Sequence, residues 1–287
     1  MQAIPESELI LNPNGTVYHL NLLPEQISDT IITVGDPERV AKVSKYFDSI
    51  EVEVHKREFV THTGYYKGKR ITVISTGMGT DNIDILMNEM DALVNIDLLT
   101  RTPVAEEDRI TLKIVRIGTS GSLQPTIPLG SHLASDYAIG IDSLMQFYPL
   151  VQTDFENRIS EGIKMQLGLS YAPYCVQGSK MLREKLAFDM IPGNTLTCPG
   201  FYAPQGRVLR IPLKFPGLVN AYHTFREGDF MLTNFEMETA GYYALGRLLG
   251  HEMLSLNAIV ADRINHKFAT NADSSVNDLI LKVLDRI

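Results

Sequence analysis

Residues 31–47, IITVGDPERVAKVSKYF, show the pattern from which we infer the fold. The first four residues form the short apolar run of a buried strand. Gly35 and Asp36 end that strand, and Pro37 suits the first turn of a helix that runs through Val40 and Val43 to residue 47. A strand, a glycine turn and a helix in this order are typical of a layered α/β protein.

The same alternation continues along the rest of the chain. Strand patterns lie at residues 52–55, 58–66, 70–74, 112–117, 131–138, 171–176, 194–197 and 253–261, and helical patterns at 80–94, 155–167, 179–188, 240–249 and 271–286. Residues 1–30 are predicted to be an irregular arm and residues 100–109 a surface loop. Because the sequence has no proline- or serine-rich linker, low-complexity tract or internal repeat, we predict one α/β domain over residues 1–287.

The composition excludes several classes of protein. Hydrophobic residues make up 44% of the chain and charged residues 21%, which is typical of a globular protein with a substantial core. The formal net charge of -8 argues against general binding of nucleic acid or of an anionic membrane, although a local basic pocket is compatible with it. The sequence contains no signal peptide and no apolar run of spanning length, so we expect a cytoplasmic protein. Cys175 and Cys198 lack metal-ligand spacing and are expected to be reduced, partly buried thiols; the histidines show no zinc pattern.

An acidic motif precedes the apolar run at residues 240–249. Glu236 and Glu238 stand beside the start of the predicted helix, where its dipole favours negative charge, so one interpretation is helix capping. The other is sugar recognition. A carboxylate accepts two hydroxyl hydrogen bonds, as adjacent ribose hydroxyls offer them, and Met237 would present an apolar surface to the sugar ring.

Two other motifs have the composition of anion sites. The turn at Gly35 places backbone N–H groups at a helix start, with Arg39 nearby. Residues 116–121, RIGTSG, combine Arg116 at a strand end with glycines and hydroxyl groups, and a forked guanidinium suits phosphate. Arg57 is either a solvated charge or a further anion ligand.

A base-binding motif is predicted at residues 201–207, FYAPQGR. Phe201 offers a stacking face, while Gln205 and Arg207 offer the hydrogen-bonding groups that the edge of a pyrimidine requires. The alternative is a surface turn with one packed aromatic residue. Asp262 and Arg263 follow at a strand end, where charged pairs commonly line a cleft or are simply solvated.

Taken together and in order, these motifs resemble the nucleoside phosphorylase-I family over nearly the whole chain. The residues that carry the resemblance are His19, GDPxR at 35–39, KREF at 56–59, STGMG at 75–79, RIGT at 116–119, FYxxQGR at 201–207, NxEME at 234–238 and Arg263. Each motif alone is weak, whereas their joint order is specific.

The resemblance implies a fold and a set of site residues. The implied fold is a three-layer α/β/α domain around a central twisted mixed β-sheet, assembled as a homodimer or as a hexamer made of three dimers with shared active sites. The phosphate site would comprise Gly35, Arg39, Arg116 and Thr119, with Arg57 supplied by the neighbouring subunit. The ribose site would comprise Glu236, Met237 and Glu238, with His19 supplied by the neighbour at the 5′-hydroxyl. The base site would comprise Phe201, Gln205, Arg207 and Arg263.

The resemblance also implies an activity, the phosphorolysis of uridine, and by extension of deoxyuridine or thymidine, to uracil and the sugar 1-phosphate. Arg116, Glu238 and Arg207 would be the catalytic residues. Inorganic phosphate would be a co-substrate, and no cofactor or metal is expected beyond a monovalent cation near Glu58. Two other functions stay open: purine nucleoside phosphorolysis with Asp262 as the acid that protonates the base, and nucleoside binding without catalysis. The segments 100–109 and 149–169 are longer than in close bacterial members of the family.

Overall fold

The computed structural model describes residues 3–287 and has the alternating elements that the sequence predicts. The strands are β1 Thr30–Val34, β2 Ser49–Lys56, β3 Phe59–Tyr66, β4 Lys69–Ser75, β5 Ile96–Asp97, β6 Thr102–Pro103, β7 Lys113–Ser122, β8 His132–Gly140, β9 Tyr174–Gln177, β10 Ile191–Thr197, β11 Arg226–Glu227, β12 Phe230–Met231, β13 Asn234–Glu236, β14 Glu252–Asp262 and β15 Lys267–Phe268. The helices are α1 Pro37–Ser44, α2 Thr80–Asn95, α3 Asp154–Leu167, α4 Lys180–Leu186, α5 Leu218–Thr224, α6 Thr239–Leu249 and α7 Ala272–Arg286. Short 3-10 turns lie at Pro24–Gln26, Glu106–Asp108, Leu144–Gln146 and Ala203–Gln205.

One mixed sheet connects most of these strands. Its order is β15-β14-β8-β10-β13-β7-β1-β4-β3-β2, with β9 paired to β8. The strands β4, β1, β7 and β14 run parallel, while β2, β3 and β15 are antiparallel to their neighbours. Because β14 pairs with both β7 and β8, the strands β14, β8, β10, β13 and β7 close into a ring, which no sequence pattern indicated.

Helices cover both faces of the sheet and bury several apolar clusters, of which two lie on opposite faces of β1. Successive residues of a strand point to opposite faces, so Ile31 belongs to the core under α2 and α6, whereas Ile32 belongs to the core under α1, α4 and α7. Leu86 of α2 and Leu279 of α7 illustrate the two layers. The predicted three-layer α/β/α fold is therefore confirmed.

Strand β7 creates the crevice that contains the site. On one side it pairs with β1 as far as Arg116, which lies opposite Thr33. On that same side it pairs with β13 only at Gly121 and Ser122. Residues 117–120 thus have no strand neighbour there, and such a divergence at the carboxyl end of parallel strands is where α/β proteins bind ligands.

Both cysteines are free thiols and are fully buried, more deeply than we expected from the sequence. Burial raises the pKa of Cys175 and of Cys198 well above the ordinary value, so both remain protonated. Among residues 3–287 there is no helix with the combination of length and apolar character that crossing a membrane requires.

Candidate active site

A cavity of about 480 Å³ opens at the crevice beside β7. Its volume is in the range of small-molecule sites. Most of the predicted site residues line it, namely Gly35, Arg39, Arg116, Thr119, Phe201, Gln205, Arg207, Glu236, Met237 and Glu238. They come from separate stretches of the chain and meet because the ends of β1, β7 and β13 converge there.

Arg116 is the central cation of the cavity, and it is held from several sides. Its Nη2 donates to Glu238 Oε2 at 2.6 Å and lies 3.1 Å from Glu236 Oε2. Its Nη1 donates to Asn257 Oδ1 at 3.0 Å, a contact made through the pairing of β7 with β14. Burial opposes its charge, but the two carboxylates outweigh that effect and raise the pKa of Arg116. The guanidinium is therefore a fixed, permanent positive charge.

Gly118 makes this placement of Arg116 possible. A β-carbon at Gly118 would lie only 2.1 Å from Arg116 Nη1 and 2.5 Å from its Cζ. The arginine side chain thus lies across the glycine two residues further along its own strand. Glycine is needed at this position of the RIGT motif because the Arg116 side chain approaches it closely. It is not needed for a special backbone conformation, since its φ is not in the left-handed region.

The two acidic residues of the 234–238 motif have different contacts. The Glu236 carboxylate accepts from the backbone N–H groups of Glu238 at 3.0 Å and Thr239 at 2.9 Å, and from Thr197 Oγ1 at 2.7 Å. Glu236 therefore caps α6, which was one of the two interpretations of the motif. The Glu238 side chain makes no capping bond and accepts instead from the Gly79 N–H at 2.9 Å and from Arg116. Burial raises the pKa of Glu238, while the adjacent Arg116 lowers it.

Arg39 is the second cation lining the cavity. Its Nη1 donates to the carbonyl oxygen of Ile117 at 3.3 Å, on the unpaired segment of β7. Burial and the nearby charge of Arg116 lower its pKa. Two guanidinium groups that repel each other across a cavity bind an anion favourably, because the anion relieves the repulsion.

The opposite end of the cavity is lined by the 201–207 segment. Arg207 Nη1 donates to the carbonyl oxygen of Phe201 at 2.7 Å and to Gln205 Oε1 at 2.5 Å. Its guanidinium carbon lies 3.7 Å from the centroid of the Phe201 ring, so one face of that ring is already covered. Gln205 is almost fully buried, and its NH₂ group and the second lone pair of its oxygen are left for a ligand. Burial and the neighbouring Arg263 lower the pKa of Arg207 to about 10, which leaves it protonated at neutral pH.

Three predicted site residues lie outside the cavity of their own chain. Arg263 packs behind it, with its guanidinium 5.2 Å from the Phe235 ring centroid. His19 is held by Glu89, whose Oε1 is 2.6 Å from His19 Nδ1, and Arg57 is exposed in a turn with a φ of 55°.

Asp262, the acid of the purine alternative, also lies outside the cavity. Its Oδ1 accepts from the backbone N–H groups of Ile264 at 3.0 Å and Asn265 at 2.9 Å, and its Oδ2 accepts from the Asn265 side chain at 2.8 Å. Burial raises its pKa, but these hydrogen bonds outweigh burial and the net pKa is lowered. The carboxylate anchors a turn and is ionised, whereas an acid catalyst needs a raised pKa.

The cation expected near Glu58 stays a prediction. The Glu58 carbonyl accepts from Ser75 Oγ at 2.6 Å, and its side chain lies beside Gly77. Within the part of the chain that the structure describes, no three His, Cys, Asp or Glu side chains cluster as metal ligands.

Several residues that line the cavity were not predicted as site residues. Met78 and Phe268 lie at its mouth with 72% and 69% of their surface exposed, and Val260 lines it as well. Met78 belongs to the glycine-rich STGMG segment at residues 75–79, one of the motifs that carry the family resemblance. Phe268 lies in the short strand β15, for which the sequence carries no such signal, since only the pairing of β14 with β15 brings it there.

The fold and this cavity define the class of the protein: an α/β protein with a candidate small-molecule site at the carboxyl ends of its strands. The family follows from comparison with known proteins. The chain belongs to the phosphorylase superfamily, whose model matches residues 29–286.

Individual relatives within this superfamily are nucleoside phosphorylases. A uridine phosphorylase of Thermococcus kodakarensis is 28% identical over 260 residues, which cover 88% of this chain and 80% of that protein. A DeoD-type purine nucleoside phosphorylase of Thermoanaerobacter pseudethanolicus is also 28% identical, over 263 residues that cover 89% of this chain and 91% of that one. The crystal structure of a Trypanosoma brucei nucleoside phosphorylase, which shows uridine phosphorylase activity, superimposes with a TM-score of 0.87 at 28% identity and covers 98% of this chain and 100% of that chain. The protein is an enzyme of the nucleoside phosphorylase family, a pentosyltransferase, and its relatives differ in the base they accept.

Proposed function

We propose that this enzyme catalyses the phosphorolysis of uridine to uracil and ribose 1-phosphate. The observation that carries this proposal is the contact at 2.5 Å between Arg207 Nη1 and Gln205 Oε1, which fixes the orientation of the Gln205 amide at the end of the cavity. Arg207 and the NH₂ group of Gln205 offer donors to the two carbonyls of uracil, and the second lone pair of Gln205 Oε1 accepts from the ring N–H between them. The amino group of adenine would meet Arg207 donor to donor.

The remaining cavity residues match the ribose and the phosphate. Glu238 would accept hydrogen bonds from the 2′- and 3′-hydroxyls, with Met237 against the sugar ring. Arg116 and Arg39, with the Gly35 turn and Thr119, would hold the phosphate. Because Arg116 touches Glu238 at 2.6 Å, phosphate and sugar would be held next to each other, as the reaction requires.

The mechanism follows from where charge develops. A phosphate oxygen attacks C1′ as the C1′–N1 bond breaks, and the bonding electron pair leaves with uracil. The phosphate dianion stabilises the positive charge that develops on the sugar. Arg207 and Gln205 stabilise the negative charge on the uracil carbonyls, with Arg263 behind them. No side-chain nucleophile is needed, so Arg116, Glu238 and Arg207 act by position and charge.

His19 and Arg57 would serve the cavity of a neighbouring subunit, in a homodimer or in a hexamer of three dimers. Two features support this: both residues lie outside the cavity of their own chain, and Glu89 holds His19 Nδ1. Nε2 is then the nitrogen available to a ribose 5′-hydroxyl. Co-expression of Arg57→Ala with Glu238→Ala subunits tests this, because a mixed dimer would regain one complete site. An inactive mixed dimer would show that the site is not shared.

A nucleoside panel with phosphate omitted and restored tests the proposed reaction. We expect uracil release from uridine only when phosphate is present, with deoxyuridine and thymidine as further substrates. Cleavage of inosine with uridine left intact would instead establish the purine alternative, although the ionised Asp262 disfavours it. Binding of uridine without turnover in phosphate would establish a binding protein.

A further inference from the structure

A second cavity, of about 280 Å³, lies behind the segment that carries Gln205 and Arg207. Its walls come from the end of α3, from α5, from residues 213–215 and from the base loop, by which we mean residues 199–207. Leu167, the last residue of α3, and Leu169 just beyond it belong to the wall, and both lie in the segment 149–169 that we expected to be longer than in close bacterial members of the family. The proposed reaction uses no part of this cavity.

The chemistry of the walls restricts what this cavity can hold. The Tyr222 hydroxyl donates to the Pro204 carbonyl at 2.8 Å, and the Tyr171 hydroxyl donates to the Ile141 carbonyl. Both tyrosines therefore turn only their rings to the interior, among leucines and prolines. Lys214 is the one charged residue of the lining, and within residues 3–287 it has no carboxylate partner; its ammonium lies 5.4 Å from the Phe215 ring centroid. An apolar cavity with one unpaired cation at its edge suits a hydrophobic anion.

The base loop separates this cavity from the active site. Ala203 and Pro204 line the second cavity, while Gln205, the next residue of the same 3-10 turn, lines the active site. The loop is packed tightly on α5, since a β-carbon at Gly206 would lie 2.4 Å from Val219 Cγ2. Movement of Pro204 would therefore move Gln205.

We propose that the second cavity binds a small planar aromatic carboxylate, with its ring between Tyr222 and the leucines and its carboxylate at Lys214. Occupancy fixes the position of Pro204 and, through the shared 3-10 turn, that of Gln205, and so changes nucleoside binding. The binding step is independent of the proposed function, whereas the effect on the nucleoside rests on it.

Calorimetric titration with 2-naphthoate tests the binding step, and neutral 2-naphthamide is its matched control. Saturating phosphate blocks the arginines of the active site. We expect Lys214→Gln to weaken naphthoate binding about two- to fivefold, as for an exposed ion pair, and to leave naphthamide unchanged. Lys45→Gln is the matched variant, because Lys45 also lies over a neighbouring ring, 4.8 Å from the Tyr46 centroid, but away from the cavity. Leu213→Trp fills the cavity and is expected to abolish binding of both compounds.

Three results would overturn the site. Naphthoate does not bind to the wild-type enzyme, its binding is lost when phosphate is added, or Lys214→Gln and Leu213→Trp both bind it as tightly as the wild type does. The coupling has its own readout, a change in the KM for uridine on addition of naphthoate that is absent in Leu213→Trp. An unchanged KM on a bound enzyme would overturn the coupling. Absence of uridine turnover would refute the proposed function and leave the binding result standing.

Discussion

Replacement of Gly118 by alanine tests the central geometry of the site. The new methyl group would lie 2.1 Å from Arg116 Nη1 and 2.7 Å from its Nη2. Because non-bonded heavy atoms pack at about 3.5 Å, the guanidinium has to retreat by about 1 Å. The backbone accepts alanine without strain, since Gly118 is not in the left-handed region. The substitution therefore acts on Arg116 and on little else.

The expected effect on the rate follows from this displacement. Arg116 Nη2 is 2.6 Å from Glu238, and a shift of 1 Å ends that hydrogen bond. A misplacement of about 1 Å in a catalytic site costs about 100-fold in rate, or about 2.7 kcal/mol of transition-state stabilisation. We expect kcat/KM for phosphate-dependent cleavage of uridine to fall by about that factor, measured from uracil release.

A matched variant separates this effect from general destabilisation. Gly193→Ala in β10 is similarly crowded, with its β-carbon 2.4 Å from Leu133 Cδ2, but neither residue lines the active site. It is expected to lower the melting temperature and to keep kcat/KM close to that of the wild type. Wild-type kcat/KM in Gly118→Ala, or an equal loss in Gly193→Ala, would refute the role of the Arg116 position.

Further expectations concern the acidic and basic side chains around the cavity. Glu238→Gln keeps the shape of the side chain but removes its charge, so kcat is expected to fall about 100-fold while circular dichroism shows a folded protein; wild-type turnover would show that the charge of Glu238 takes no part in catalysis. Asp262→Asn is expected to retain uridine turnover and to melt at a lower temperature at neutral pH. The pKa of Asp262 is lowered in the folded state, so the carboxylate stabilises the fold above its unfolded pKa of about 3.9, and this stabilisation is lost as the pH falls through the folded pKa. The melting temperatures of the wild type and of Asp262→Asn should therefore converge in acid. A difference that stays constant with pH would contradict this. Burial and, after it, the charge of Arg263 lower the pKa of Arg207 to about 10. Because Arg263→Gln removes the second cause, the alkaline loss of activity should move to higher pH; uridine ionisation is common to both enzymes, and coincident pH profiles would exclude the coupling.

The elements of the fold were predictable because their signals are local. The apolar run of β1, the proline at the first turn of α1 and the 3.6-residue spacing of α2 each depend on a few neighbouring residues. The ring of strands was not predictable, since β14 pairs with β7 and β8 across more than a hundred residues of chain. Sequence periodicity contains no information on which distant strand becomes a neighbour.

The candidate site was predicted in its residues but not in its contacts. Motif order identified Arg116, Gln205 and Glu238, all of which line the cavity. Motif order did not indicate that Arg207 covers one face of Phe201, which we expected to be free for stacking.

The sequence by itself determined the class of elements, the acidic balance of the chain and the motifs whose order identifies the family. Which donors the two carboxylates of the acidic motif accept from was decided only by the tertiary structure. Glu236 and Glu238 are two residues apart, yet one accepts from the start of α6 and the other accepts from Gly79 and Arg116. The physical reason is that a carboxylate accepts from whichever donors surround it, and the Glu238 partner Arg116 lies 122 residues away in the chain.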